Sequence, residues 1–125
     1  MVQVLLERHT TKLRALFWVV LVATVALALL PMPSGLPVSS LGDKVDHMIA
    51  FATLAALGSI AFAEFPPPRL VERLVFLGAG IEVVQSIPAL NRDCDVLDWA
   101  ADTLAVVVVV ALFVAWRAVR SPVEA

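Results

Sequence analysis

The chain has 125 residues with a net charge of −2, and 61% of its residues are hydrophobic whereas only 16% are charged. Intrinsic disorder and nucleic-acid binding both need abundant charge, so this composition excludes them. A soluble domain of this size has too little interior to bury so much apolar surface, and the composition therefore predicts an integral membrane protein.

Four apolar segments follow one another along the chain, each at or near the roughly 17–25 residues that a membrane-spanning helix needs. They cover residues 15–30, 45–65, 70–87 and 96–116, and the third is the least apolar. Proline-rich connections separate them, and proline ends helices. The pattern predicts an all-α polytopic membrane protein, with residues 1–125 forming a single domain of four transmembrane helices in a small bundle.

Basic residues precede the first apolar segment, as they do in a secretory signal peptide. The segment is longer than the usual signal core of about 7–15 residues, and no Ala-x-Ala cleavage site follows it at the expected place. We therefore expect this segment to be retained as the first helix.

The basic residues predict the orientation, because cytoplasmic loops carry an excess of lysine and arginine. With four spans, only Lys44 and Arg92 fall on one side of the membrane. The other seven share the opposite side, namely Arg8, Lys12, Arg14, Arg69, Arg73, Arg117 and Arg120. Both termini are therefore predicted to be cytoplasmic.

Polar residues collect at the outer level of this topology. They lie at the start of the second helix, the end of the third, the following loop and the start of the fourth: Asp43, Lys44, His47, Glu82, Gln85, Arg92, Asp95, Asp98 and Asp102. Glu82 lies about 7–8 Å below the end of its helix at the rise of an α-helix. A carboxylate at that depth costs about 2.5–3.5 kcal/mol in lipid, so we expect it to face the bundle interior and find partners, with His47, Lys44 and Arg92 available.

Small residues recur at the spacing that lets membrane helices approach closely. They lie on the second, third and fourth helices: Ala52, Ala55, Ala56, Ser59, Ala63, Gly78, Gly80, Ala101 and Ala105. We expect these three helices to form a tight unit around the polar residues, with the first helix packed on its outside.

The polar pattern resembles the VanZ-like membrane proteins over roughly residues 40–105. The matching elements are Asp43-Lys44-x-x-His47, Glu82-x-x-Gln85 and Arg92-x-x-Asp95-x-x-Asp98-x-x-x-Asp102. The resemblance implies a small multi-pass protein of a bacterial cytoplasmic membrane, in a family whose named member is associated with low-level teicoplanin resistance. The chain departs from the family at Asp102, where the family usually has Asn, and at Ala105, where it usually has Gly.

The leading hypothesis is that the outward polar residues bind an envelope component, either a lipid-linked cell-wall precursor or a glycopeptide. No cofactor and no metal site are predicted, since no metal-ligand spacing is present. Two alternatives stay open. One is an outer-leaflet enzyme in which His47 and Glu82 act as general acid and base. The other is a structural or partner subunit in which the polar residues only hold the helices together, with Asp95 or Asp98 capping the fourth helix.

Overall fold

The computed structural model describes residues 1–31, 40–90, 92 and 94–120. Within these residues the chain is all-helical, which confirms the predicted class, and no strand is present. A short 3-10 turn, Pro88–Leu90, precedes the last of the four α-helices, which are α1 (Val2–Leu29), α2 (Ser40–Ala61), α3 (Pro67–Gln85) and α4 (Val96–Arg120).

The helix bounds differ from the predicted segments at several ends. α1 begins much nearer the N-terminus, because the polar residues before the apolar run contain no proline or glycine that would stop a helix. α2 ends at Ala61, and the turn that follows is closed by a bond from the Phe65 amide to the Phe62 carbonyl. α3 then begins at Pro67, since proline fits the first turn of a helix.

Two helices in the described part of the chain are long and apolar enough to cross a membrane, Glu7–Leu29 and Val96–Arg120. In the most apolar stretch of each, only 17% of the residues are buried inside the protein. The core helix of a soluble protein would be mostly buried, so this exposure agrees with the membrane prediction. The described apolar part of α2, Val45–Ala61, is shorter.

α2 is the central helix of the bundle and packs against all three others. α3 and α4 also pack against each other, as the small residues predict, while α1 packs on α2 and α3. The first helix is nevertheless part of the core, because Phe17 and Ala28 are buried together with Phe51, Leu54 and Val106.

Glycines mark two close approaches between helices. A Cβ on Gly78 would lie 3.3 Å from Trp99 and 3.6 Å from Phe51, so α2, α3 and α4 meet at this point. A Cβ on Gly58, which the small-residue pattern missed, would lie 2.9 Å from Leu70. Gly80 faces open space, and the prediction that it supports close packing is wrong.

Candidate functional site

Three helices bring polar side chains together at one end of the bundle. Successive helices run in opposite directions, so the start of α2, the end of α3 and the start of α4 lie at the same level as the end of α1. His47 comes from α2, Glu82 from α3, and Asp98 and Asp102 from α4. We call these four residues the carboxylate cluster. Glu82 lies close enough to His47 and Asp98 for their charges to act on it.

Asp102 is the most buried member of the carboxylate cluster. Its residue surface is 3% exposed, and its Oδ1 atom is buried and accepts no hydrogen bond. The Oδ2 atom lies 3.9 Å from His47 Nδ1, which is too long for a hydrogen bond. A buried carboxylate needs hydrogen-bond donors to offset the loss of its hydration. Since no described residue donates a hydrogen bond to Oδ1, the burial of this carboxylate is destabilising.

Glu82 is buried, as its depth in the helix predicts, but the partners that the structure shows are not cations. Its Oε2 atom accepts a hydrogen bond of 3.2 Å from the Asp95 amide, and the Cys94 thiol is also hydrogen-bonded to its carboxylate. Both donors belong to the segment that leads into α4. Glu82 therefore attaches the start of α4 to the end of α3.

Asp95 caps α4, as one of the structural alternatives predicted. Its Oδ1 atom accepts a hydrogen bond of 2.9 Å from the Leu97 amide, which is the second residue of the helix. Carboxylates are favoured at this position because they satisfy an unpaired amide and interact well with the helix dipole. Asp98, in the first turn, benefits from the same dipole and is half-buried beside Glu82.

Gln85 and Arg92, two of the predicted ligand-binding residues, point toward α1. The Gln85 side-chain amide donates to the Ala28 carbonyl at 2.9 Å. Arg92 donates from Nε to the Leu30 carbonyl at 3.0 Å and from Nη2 to the Leu27 carbonyl at 2.7 Å. The last carbonyls of a helix have no partners within it, and α1 has no basic residue in its own last turn. These two side chains therefore cap α1.

Two further predicted residues are Asp43 and Lys44, near the start of α2. The backbone there is helical, but both side chains lie outside the described residues. The prediction that they contribute to ligand binding stays a prediction.

Trp99 is a further feature of the site that the pattern of polar residues did not include, because a tryptophan near the end of a membrane helix is ordinarily assigned to the interface with the lipid headgroups. Its indole Nε1 donates to the Val75 carbonyl of α3 at 3.1 Å, and the ring is half-buried. A buried indole N–H needs an acceptor, which is the signal that could have revealed this contact. A cavity of about 160 Å³ opens beside it, lined by Trp99, Glu82, Ala79 and Val96.

The chemistry that this end of the bundle offers is the acceptance of hydrogen bonds. Ionised carboxylates accept and never donate, so the carboxylate cluster suits a group rich in hydroxyl, amide or ammonium donors. Among the described residues, no group of three or more metal-ligating side chains is arranged to hold a metal ion.

The fold and this site define a small helical-bundle protein with two helices suited to a membrane and a buried carboxylate cluster at one end. No protein-family model matches the chain, and no curated protein or solved structure is significantly similar to it. The assignment of a function therefore depends on the residues and their geometry.

Proposed function

We propose that the chain is a VanZ-like protein of a bacterial cytoplasmic membrane that crosses it four times, with both termini in the cytoplasm. The arrangement of the arginines supports this topology. Arg14 of α1 bonds to the Ala61 carbonyl and to Glu64, and Arg117 of α4 bonds to the Ser59 carbonyl. Both therefore lie at the α2–α3 turn, the end that the positive-inside rule assigns to the cytoplasm.

The carboxylate cluster then lies at the outer level of the membrane, and its proposed role is to bind an envelope component. The observation that carries the proposal is the buried Asp102 carboxylate, whose Oδ1 atom accepts no hydrogen bond from any residue that the structure describes. Intramembrane ionisable residues are functional by default because they are costly to keep. A ligand that donates hydrogen bonds would offset that cost, and cell-wall precursors and glycopeptides both carry many hydroxyl and amide donors.

The cavity that Glu82 lines, which does not include Asp102 among its lining residues, limits how much of such a ligand can enter. The cavity beside Glu82 measures about 160 Å³, whereas pockets for whole small molecules have about 300–1,000 Å³. It has room for one sugar or amide group and not for an entire precursor. The remainder of the ligand would lie outside the bundle, at the membrane surface.

The test is teicoplanin susceptibility of cells that carry wild type or Glu82→Gln, with the abundance of the protein in the membrane measured in the same cultures. The substitution keeps the shape of the side chain and removes its charge. The matched control is Glu64→Gln at the opposite end of the bundle, where the carboxylate is 68% exposed. We expect resistance to fall at unchanged abundance in Glu82→Gln and to stay unchanged in Glu64→Gln.

Other outcomes separate the alternatives. If resistance and abundance fall together in Glu82→Gln, the carboxylate cluster is a structural clamp. If wild type confers no resistance, the role implied by the VanZ resemblance does not apply to this chain.

A second candidate is an enzyme of the outer leaflet, which the pairing of His47 with a carboxylate favours. The sequence paired His47 with Glu82, and the structure places its Nδ1 atom 3.9 Å from Asp102, with the imidazole 11% exposed. A histidine beside a carboxylate is a common general base. The test compares the lipid composition of cells that carry wild type with that of cells that carry His47→Gln. Only an enzyme would change the amount of a lipid component in a way that depends on His47.

A further inference from the structure

A second cavity lies on the other side of the bundle, between α1 and α3, near the end that carries the arginines. It has a volume of about 330 Å³. We call it the α1–α3 groove. Its walls include Phe17, Trp18 and Leu21 of α1 and Leu70, Arg73 and Leu77 of α3. From Leu70 to Leu77 the groove runs about 10 Å along the helix axis, by the rise of an α-helix.

Arg73 is the charged residue among those that line the groove. Its guanidinium lies 5.4 Å from the centre of the Phe65 ring, and it forms no salt bridge with any described residue. Of the arginines nearby, Arg14 forms a salt bridge with Glu64, and Arg117 donates a hydrogen bond to a backbone carbonyl. The groove thus combines apolar walls with an arginine whose positive charge is not neutralised by a salt bridge to any described residue.

We propose that the α1–α3 groove binds an anionic phospholipid of the inner leaflet, with part of an acyl chain along the apolar walls and the phosphate at Arg73. The planar guanidinium matches the geometry of a phosphate group. Basic pockets between membrane helices on the cytoplasmic side are a known form of anionic lipid site. The inference rests on the proposed topology, which places this end at the cytoplasmic surface, and not on the role of the carboxylate cluster.

Arg69 strengthens the charge complementarity. It lies one turn before Arg73 on the same helix and is exposed. Both arginines line a polar depression next to the groove together with Glu72 and Phe76, so the charged residues of this depression carry a net charge of +1. The headgroup of a zwitterionic lipid carries a positive ammonium group beside its phosphate, and these two arginines would repel that group. The site therefore selects a net negative headgroup and not phospholipids in general.

The chain contains its own reporter for this site, because Trp18 lines the groove and is 55% exposed. The experiment uses the full-length protein in vesicles, with Trp99→Phe and Trp116→Phe so that Trp18 alone fluoresces. Brominated phosphatidylglycerol or brominated phosphatidylcholine is added at matched mole fractions as the quencher. We expect half-maximal quenching at an about fivefold lower mole fraction of the anionic lipid.

Arg73→Gln should abolish this preference, whereas Arg73→Lys, which keeps the charge, should retain most of it. Helix content measured on the same samples identifies a variant that fails to fold, and the lysine variant then carries the test. The matched control keeps Trp116 as the only tryptophan. That residue is also exposed beside an arginine, Arg120 at 4.9 Å, but it does not line the α1–α3 groove.

Two results would overturn the lipid site while leaving the topology intact. One is equal quenching of Trp18 by both lipids. The other is a preference for the anionic lipid at Trp116 as large as that at Trp18, which would show a general attraction of this lipid to the protein surface. If neither lipid quenches Trp18, α1 does not lie in the bilayer, and both the topology and the lipid site are wrong.

Discussion

Replacement of Asp102 by asparagine should make the protein more stable, which is unusual for a change in a buried side chain. The residue is 3% exposed, and its Oδ1 atom accepts no hydrogen bond. Asparagine has almost the same shape and no charge, so it removes the cost of an uncompensated buried carboxylate. An unpaired buried polar group costs about 1–3 kcal/mol, and we expect a gain of about 1–2 kcal/mol because the new amide group is itself only partly paired.

The assay is unfolding of the purified protein in mixed micelles, followed by circular dichroism. Asp46→Asn is the matched control, because Asp46 lies at the same end of the bundle and is exposed. A surface change of this kind should alter the free energy of unfolding by less than about 0.5 kcal/mol.

The contrary result has a clear physical meaning. If Asp102→Asn lowers the free energy of unfolding by 1 kcal/mol or more (roughly the weight of a charged hydrogen bond), the carboxylate is paired with a protonated His47. A double-mutant cycle with His47→Gln would then show a strong coupling between the two residues. A coupling energy near zero together with a stabilised Asp102→Asn would confirm that the carboxylate lacks a partner inside the protein.

Three further predictions concern other parts of the bundle. Gly58→Leu should lower the free energy of unfolding by about 1–3 kcal/mol, because even a Cβ there lies 2.9 Å from a leucine methyl, whereas Gly80→Leu, which faces open space, should change it little. Arg92→Gln should speed amide hydrogen exchange at the end of α1, because the two hydrogen bonds to its last carbonyls are lost. Cys94, the single cysteine, should react with a membrane-impermeant maleimide from outside the cell, slowly at pH 7 and faster as the pH rises. Its pKa is raised by desolvation and then by the hydrogen bond and charge of Glu82, so less of the reactive thiolate is present at neutral pH, and Glu82→Gln should speed the reaction. Labelling from the cytoplasmic side alone would contradict the proposed orientation.

The sequence was sufficient to predict the all-helical class, the number and order of the helices and the burial of Glu82. Each follows from an unfavourable solvation free energy. Apolar segments are unfavourable in water and therefore predict helices in a bundle or membrane, whereas a carboxylate is unfavourable in lipid and is therefore expected to face the bundle interior. The start of α1 was not predictable in the same way, because residues 2–14 mix polar and apolar side chains and have no uniform solvent preference that distinguishes a helix from a loop.

The hydrogen-bond partners of the site residues were the second feature that the sequence did not predict. The sequence offered His47, Lys44 and Arg92 as partners for Glu82, and the structure shows the Asp95 amide and the Cys94 thiol. Backbone donors are present at every residue and therefore leave no trace in a pattern of side chains. The direction of Arg92 depends on where α1 ends relative to α3, which is a result of packing and not of spacing.

The direction of Arg92 also explains the character of the carboxylate cluster. Arg92 and Gln85 would be natural donors to nearby carboxylates, but both donate to carbonyls at the end of α1, which otherwise lack partners. Closing the bundle at α1 thus uses part of the donor capacity at the level at which Glu82 and Asp102 lie. Within the described side chains, the His47 imidazole lies 3.9 Å from the Asp102 carboxylate, which is too far for a hydrogen bond. A buried acceptor that receives no hydrogen bond from the described residues is suited to a donor from outside the chain, as the proposed binding of an envelope component requires.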